Sequence, residues 1–114
     1  MATGTIANGV LTQNVETAVY TVDATNAGGY AVVSVQLLNT GTSDANIRIA
    51  LHDGTVTGGD YLEYDTTVVP KGLIERTGVV VGAGQSISCW CTNSADVAFR
   101  INGTEVGVFD PVAP

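Results

Sequence analysis

Charge is scarce in this sequence, and most of it is negative. The 114 residues include 4 Lys and Arg against 11 Asp and Glu, for a formal net charge of −7, and charged residues make up 13% of the chain. About a quarter is usual in globular proteins. Nucleic-acid binding needs clustered basic side chains that neutralise phosphates, but Arg48, Lys71, Arg76 and Arg100 are scattered singly. We therefore expect no nucleic-acid partner.

Long apolar runs are also missing. A helix needs about 20 consecutive apolar residues to cross a bilayer, and no stretch here approaches that length. The start of the chain, MATGTIANGVLTQ, lacks the charged and apolar regions of a secretory signal peptide. We expect no membrane partner and synthesis in a reducing cytoplasm, where structural disulfides are uncommon.

Cysteine and histidine are too rare to complete a zinc site. The chain has two cysteines, Cys89 and Cys91, and one histidine, His52, whereas a structural site takes four ligands. A thioredoxin-like motif has two residues between its cysteines, and here there is one. Side chains two positions apart in a strand are separated by roughly 6–7 Å, beyond the Cβ spacing of about 3.5–4.5 Å in a disulfide. We expect two small buried apolar residues and no cofactor.

The single tryptophan lies between the two cysteines. Alternation in the stretch SISCWCTN places Ile87, Cys89 and Cys91 on one face of a strand and Trp90 on the other, among hydroxyl side chains. If the first face is the core, Trp90 is exposed and available as an interface anchor. The alternative is that a loop or the N-terminal residues cover it within the monomer.

Strong helix formers are few, whereas Thr and Val are plentiful and there are 14 glycines. This composition favours short strands joined by turns. About eight alternating segments occur, and no room remains for the helices that connect parallel strands. We predict an all-β fold, a two-sheet antiparallel β-sandwich of jelly-roll or immunoglobulin-like topology. Residues 1–14 are expected to form an N-terminal arm or edge strand, 15–110 the sandwich domain and 111–114 a C-terminal tail.

Alternation also predicts which residues face the core. The inward set is Ala31, Val33, Val35 and Leu37 in one segment, Ile47, Ile49 and Leu51 in a second, and Leu62 and Tyr64 in a third. Near the C-terminus, Asn102-Gly103 lies between two alternating segments, 96–101 and 104–109. Asn-Gly is the strongest short-range hairpin signal, because both central residues of a type I′ turn need a positive φ. We predict a hairpin there.

Catalytic residues are not indicated. His52 stands at the end of a predicted strand beside Asp53, and the stretch GQSIS lacks the second glycine of a nucleophile elbow. We interpret His52 as a surface residue that ends a strand, and we predict that the protein is not an enzyme.

Carboxylates cluster in the stretch DYLEYD. Glu63 and Asp65 are two positions apart, so in a regular strand they share one face. Such oxygens can collect calcium, and Asp53 and Asp60 are possible further ligands. The spacing does not match an EF-hand loop, so we favour a solvated polar face and keep calcium as the alternative.

Two longer stretches resemble a known class of proteins. DYLEYDTTVVPKGLIERTGVVVGAGQSI (60–87), preceded by VVSVQLLNTGTSDANIRIAL (32–51), is similar to small virion structural proteins of tailed bacteriophages, notably those that infect cyanobacteria. The similarity covers roughly the middle half of the chain. It consists of strand and turn signatures without catalytic content, and the Cys-Trp-Cys stretch departs from the pattern.

The resemblance implies a structural role. Small acidic β-sandwich proteins of that class resemble cement proteins, which decorate the outer surface of the capsid and clamp adjoining capsomers. On this basis we expect a capsid decoration protein on the outside of the virion, with the major capsid protein and its own copies, as a homotrimer, for partners. The residues expected at interfaces are Trp90, Tyr61, Tyr30, Thr5 and Ile6.

Two other roles stay open. One is a structural module of the tail, neck or fibre, which differs from decoration in copy number and position. The other is an adhesion module that binds host carbohydrate through Tyr61, Tyr64 or Trp90 with nearby carboxylates.

Overall fold

The computed structural model describes residues 3–25, 28–92 and 96–107. They form eight β-strands and one 3₁₀ turn, Gly58–Asp60. The strands are β1 Thr3–Val10, β2 Thr17–Thr21, β3 Tyr30–Asn39, β4 Ala45–His52, β5 Tyr61–Val68, β6 Leu73–Gly82, β7 Ser86–Cys91 and β8 Val97–Val106. Within these ranges there is no helix long and apolar enough to cross a membrane.

The strands form two four-stranded antiparallel sheets that pack face to face, which confirms the predicted sandwich. The first sheet has the order β1-β8-β3-β6 and the second has the order β2-β7-β4-β5. Strand 1 therefore pairs with 8, 2 with 7, 3 with 6 and 4 with 5. This is the pairing of one long hairpin rolled into two layers, the jelly-roll topology, so the strand order decides between the two topologies that the sequence left open.

The core lies between the sheets and consists of the residues that alternation assigned to it. In β3, the odd-numbered residues Ala31, Val33, Val35 and Leu37 are at most 2% exposed. Ile47 and Ile49 of β4 and Ile87, Cys89 and Cys91 of β7 are fully buried, and Leu51 packs against this cluster. A period of two is decisive here because each of these strands has one face on the core.

The predicted hairpin at Asn102-Gly103 is wrong. Strand β8 runs straight through both residues, and Gly103 pairs with Gly4 of β1 on one side and Val33 of β3 on the other. A Cβ at position 103 would lie 2.2 Å from the carbonyl oxygen of Val32. The glycine therefore permits close approach of two backbones, and pairing on both edges outweighs the local turn preference. Residues 108 and 109 of the predicted second arm lie outside the described residues.

The predicted inward position of Tyr64 is also wrong. Its pairing with β4 shifts twice along β5, and Asp65 has a φ of 51°. Each β-bulge adds a residue and reverses the alternation beyond it. Tyr64 is consequently 58% exposed, whereas Leu62 packs against the core as predicted. The same bulges separate Glu63 from Asp65, so these carboxylates do not act as a pair on one face.

Candidate interaction surfaces

Trp90 lies on the outward face of the second sheet, where an arginine covers it. Its neighbour in register is Arg48 of β4. The Arg48 guanidinium carbon is 4.0 Å from the centre of the Trp90 ring and 4.4 Å from that of Tyr64. Tyr64 in turn packs edge-on against Tyr61, with ring centres 4.8 Å apart. We call these four residues the aromatic cluster.

An ion pair fixes the arginine of this cluster. Arg48 Nε donates to Asp65 Oδ1 at 2.6 Å, and this hydrogen bond raises the pKa of Arg48. A guanidinium on an aromatic face contributes about 0.5–1 kcal/mol when exposed and about 2 kcal/mol when desolvated. Trp90 is therefore half-buried beneath a side chain from the adjacent strand, and neither a loop nor the N-terminal residues are needed to cover it.

Tyr61 spans the same face. Its hydroxyl donates to Glu16 Oε2 at 3.1 Å, although Tyr61 begins the edge strand β5 and Glu16 immediately precedes β2 at the opposite edge. A side chain that joins the two edges has to cross the central strands. The small outward residues of those strands, Ala50 and Ser88, are accordingly buried.

His52 is buried, contrary to the interpretation of a surface histidine. It is 7% exposed, because the loop that follows β4 folds back over it. The Gly54 N–H donates to Nδ1 at 3.1 Å, and Nε2 lies 2.7 Å from Ser88 Oγ. Since Nδ1 accepts, the ring hydrogen is on Nε2, which donates to the serine.

The polarity of this pair is the reverse of that in a catalytic triad. A triad needs an unprotonated Nε2 that removes the serine proton and an acid that accepts from Nδ1–H. In His52 and Ser88 the histidine donates and Nδ1 faces a backbone N–H. The pair is not arranged as a base and a nucleophile.

A groove lies beside this pair. It has a volume of about 430 Å³ and is lined by Glu16, Ala18, His52, Gly54, Thr55, Val56 and Ser88. We call it the His52 groove. Its lining comes from the start of β2 and the residue before it, the end of β4 with the loop that follows, and the strand β7, so no local motif reveals it. The one sequence signal was the outward position of Ser88.

The carboxylates considered for calcium are engaged separately. Asp60 accepts from the Thr57 N–H at 2.8 Å, Glu63 pairs with Arg76 Nε at 2.8 Å, and Asp65 pairs with Arg48. Asp53 is exposed in the loop after β4. The described residues contain no group of three or more His, Cys, Asp or Glu suited to hold a metal ion.

Both cysteines are free and fully buried. Burial raises the pKa of the Cys89 thiol to about 12, with a smaller contribution from Cys91. Burial also raises the pKa of Cys91. A thiol that stays protonated at neutral pH is a poor nucleophile, so the two cysteines serve as small apolar core residues.

The outward face of the first sheet carries exposed apolar side chains. Four residues, one from each strand, stand side by side in register: Val10, Ala98, Leu38 and Leu73. Val10 is 72%, Leu38 38% and Leu73 57% exposed. We call these four residues the apolar row; they line a groove of about 510 Å³. Further along the same face, Val32 is paired with Val80, and both are exposed.

Polar residues separate the two apolar parts of this face. Thr5 Oγ1 donates to Asn102 Oδ1 at 2.8 Å, and Asn102 Nδ2 donates to Gln36 Oε1 at 3.4 Å. Gln36 Nε2 then donates to Glu75 Oε2 at 2.8 Å. This ladder crosses all four strands parallel to the apolar row. On this face, a row of hydrogen-bonded polar side chains therefore separates two groups of exposed apolar side chains.

The four edge strands differ in charge. Strands β5 and β6 carry charged residues, Glu63 and Asp65 on one and Glu75 and Arg76 on the other, and β2 is only five residues long. Strand β1, with the sequence TGTIANGV, has no charge and no proline. Charges, bulges and short length protect sheet edges from pairing with other chains, and β1 has only a bulge near Thr5.

The remaining predicted interface residues are distributed over the first sheet. Tyr30 is 39% exposed at the start of β3. Thr5 is exposed on β1, whereas Ile6 beside it packs against the core. Val10, Leu38 and Leu73 were not predicted to lie at an interface, although the adjacent leucines in QLL place an apolar side chain on both faces of β3.

Comparisons with known proteins find no match to this chain among protein-family models, curated proteins or solved structures.

Proposed function

We propose that the chain is a non-enzymatic virion structural protein of a tailed bacteriophage, a decoration protein that binds the outer surface of the head and stabilises contacts between capsomers. The observation that carries the proposal is the apolar row across the first sheet. Contiguous exposed apolar residues rimmed by polar ones are typical of protein-binding surfaces. The resemblance of residues 32–51 and 60–87 to phage virion proteins supplies the class of partner.

The apolar row suits binding to a protein surface. Fully burying a Val or Leu side chain contributes about 1.5–3 kcal/mol, and three of the four members still have between 38% and 72% of their surface exposed. The four-stranded sheet beneath them holds their backbones in register, so little backbone entropy is lost when a partner covers them. On this proposal the row lies against the major capsid protein.

The uncharged edge suits contact between copies. Strand β1 ends with Val10, so the apolar row reaches the edge of the sheet there. An extended segment that adds to β1 would satisfy its free backbone groups and continue the row. We propose that a neighbouring copy supplies this contact in a homotrimer.

The acidic charge fits repeated binding on a symmetric lattice. At −7 the like charge of the chains opposes nonspecific association in solution. On a shell, many weak contacts of one type add up because each bound site fixes the position of the next.

The test is the copy number of the chain in particles purified from the phage that encodes it. Quantitative mass spectrometry is expected to find hundreds of copies per particle, and antibody labelling is expected to cover the head. A handful of copies at one vertex would replace this role with the tail, neck or fibre alternative. Absence from the particle would overturn a virion role altogether.

A further inference from the structure

We propose that the His52 groove binds a neutral, hydroxyl-rich ligand, a sugar residue of a glycan. This site differs from the aromatic cluster, where Arg48 already occupies the ring faces of Trp90 and Tyr64. It is independent of the decoration role, because it lies on the opposite sheet from the apolar row.

Ser88 supplies a buried hydroxyl that still has a hydrogen to donate. Ser88 is 4% exposed and lines the groove. Its oxygen accepts from His52 Nε2–H, as the Gly54 contact to Nδ1 requires. In the described part of the chain Ser88 makes no other side-chain hydrogen bond. A buried donor without an acceptor is costly, and a ligand oxygen in the groove would accept from it.

Glu16 supplies a positioned hydrogen-bond acceptor at the rim of the groove. Tyr61 donates to Oε2 of Glu16 and thereby holds that exposed carboxylate beside the groove. A carboxylate has several lone pairs on two oxygens, so Oε1 stays available. Each sugar hydroxyl both donates and accepts. One hydroxyl can thus donate to Glu16 while its neighbour accepts from Ser88.

Charge and volume narrow the class of ligand. No Lys or Arg lines the groove, His52 is neutral in its observed hydrogen bonds, and Glu16 is acidic. Anionic ligands are therefore disfavoured. Ala18 and Val56 offer apolar contacts to ring C–H groups, and a volume of about 430 Å³ lies within the usual range for small-molecule sites.

The test is saturation-transfer NMR on the full chain with a panel of neutral sugars: glucose, galactose, mannose, N-acetylglucosamine and their disaccharides. Glucuronate is the anionic comparison. We expect at least one neutral sugar to bind and glucuronate to bind more weakly. Binding of no sugar at millimolar concentration, or equal binding of glucuronate, would overturn the assignment.

Variants locate the site. Glu16→Gln, at an exposed residue, is expected to keep the fold and to weaken binding roughly tenfold, as loss of a charge-assisted hydrogen bond does. Ser88→Ala should have a similar effect, but it leaves His52 Nε2–H without an acceptor and so lowers stability as well. Ser86→Ala is the matched control, because Ser86 is on the same strand but pairs with Thr21.

Unchanged affinity in both Glu16→Gln and Ser88→Ala would show that a bound sugar sits elsewhere and would overturn the site. Occupancy on phage heads is expected to stay normal in both variants. A failure of sugar binding and a failure of decoration are therefore separate results.

Discussion

The outward faces of the two sheets treat their large apolar side chains in different ways. On the second sheet, Trp90 and Tyr64 enclose the Arg48 guanidinium, and Asp65 neutralises it. On the first sheet, Leu38 and Leu73 stand in register and remain 38% and 57% exposed among the described residues. Partners for the aromatic side chains are supplied within the chain, whereas the leucines stay exposed.

This difference bears on which face binds a protein. An aromatic residue is usually the first candidate for an interface anchor, and Trp90 is the only tryptophan in the chain. Its contacts with Arg48 already provide much of what a partner would offer. Among the described residues no charged group lies over the apolar row as Arg48 does over Trp90, and we expect covering the row to yield the larger gain.

The largest expected effect is a loss of stability in the first sheet, where β8 pairs with both β1 and β3 at Gly103. Gly103→Ala places a Cβ 2.2 Å from the Val32 carbonyl oxygen and 2.7 Å from Val33 Cα. Both atoms belong to the backbone of a paired strand and cannot move aside, so we expect a loss of about 3 kcal/mol in the free energy of unfolding. Urea denaturation followed by circular dichroism measures this loss.

Gly58→Ala is the control for that experiment. A Cβ at position 58 meets no heavy atom within 4 Å, and Gly58 lies in the short 3₁₀ turn outside both sheets. Its free energy of unfolding should change by less than about 0.5 kcal/mol. Equal stability of the two variants would contradict the continuous β8 strand.

The next prediction concerns the aromatic cluster on the second sheet. Trp90→Ala removes a half-buried ring and its contact with Arg48, and we expect a loss of about 2 kcal/mol in unfolding free energy. A double-mutant cycle with Arg48→Ala should give a coupling energy of about 1 kcal/mol. A coupling near zero, together with reduced occupancy on phage heads, would mean that Trp90 acts on a partner instead.

The smallest effect is a loss of stability at alkaline pH, which comes from Cys89 in the core beneath the second sheet. The pKa of Cys89 rises from 9.0 to about 12 on burial, so the folded state keeps a proton that the unfolded state loses. Below about pH 9 the Cys89 thiol causes no loss of stability. Between about pH 9 and 12 the free energy of unfolding falls progressively, because only the unfolded state releases the proton.

Other groups also titrate in this range, so Cys89→Ala is the reference. The difference in unfolding free energy between wild type and Cys89→Ala should be constant from neutral pH to about pH 9. Above about pH 9 the wild type should lose stability relative to Cys89→Ala. A constant difference up to pH 11, roughly, would show that the folded thiol is not shielded from ionisation.

Sequence reasoning predicted the layers of this fold better than its connections. Alternation in β3, β4 and β7 identified the buried residues because each strand has one face on a dry core. It failed at Asn102-Gly103, where the local turn signal is overridden by pairing with β1 and β3, and at Tyr64, where bulges reverse the alternation. Neither competing effect is local in sequence.

The candidate surfaces were less predictable than the core. Trp90 was placed on the correct face, but its cover comes from Arg48, 42 positions away in sequence and adjacent only through the register of β4 and β7. Likewise, the apolar row forms only when four strands that are distant in sequence align. Residues that are unremarkable singly form a surface through the jelly-roll pairing.

The most direct test of the central claim is the occupancy of Leu38→Lys/Leu73→Lys on heads of the phage that encodes the chain. The matched control is Val69→Lys, because Val69 is as exposed as Leu73, at 57%, but lies in the turn after β5. We expect the double variant to keep wild-type unfolding stability within about 0.5 kcal/mol for each exposed site and to bind heads at least roughly tenfold more weakly, while Val69→Lys binds normally. Full occupancy by the double variant would contradict the assignment of the first sheet as the binding face.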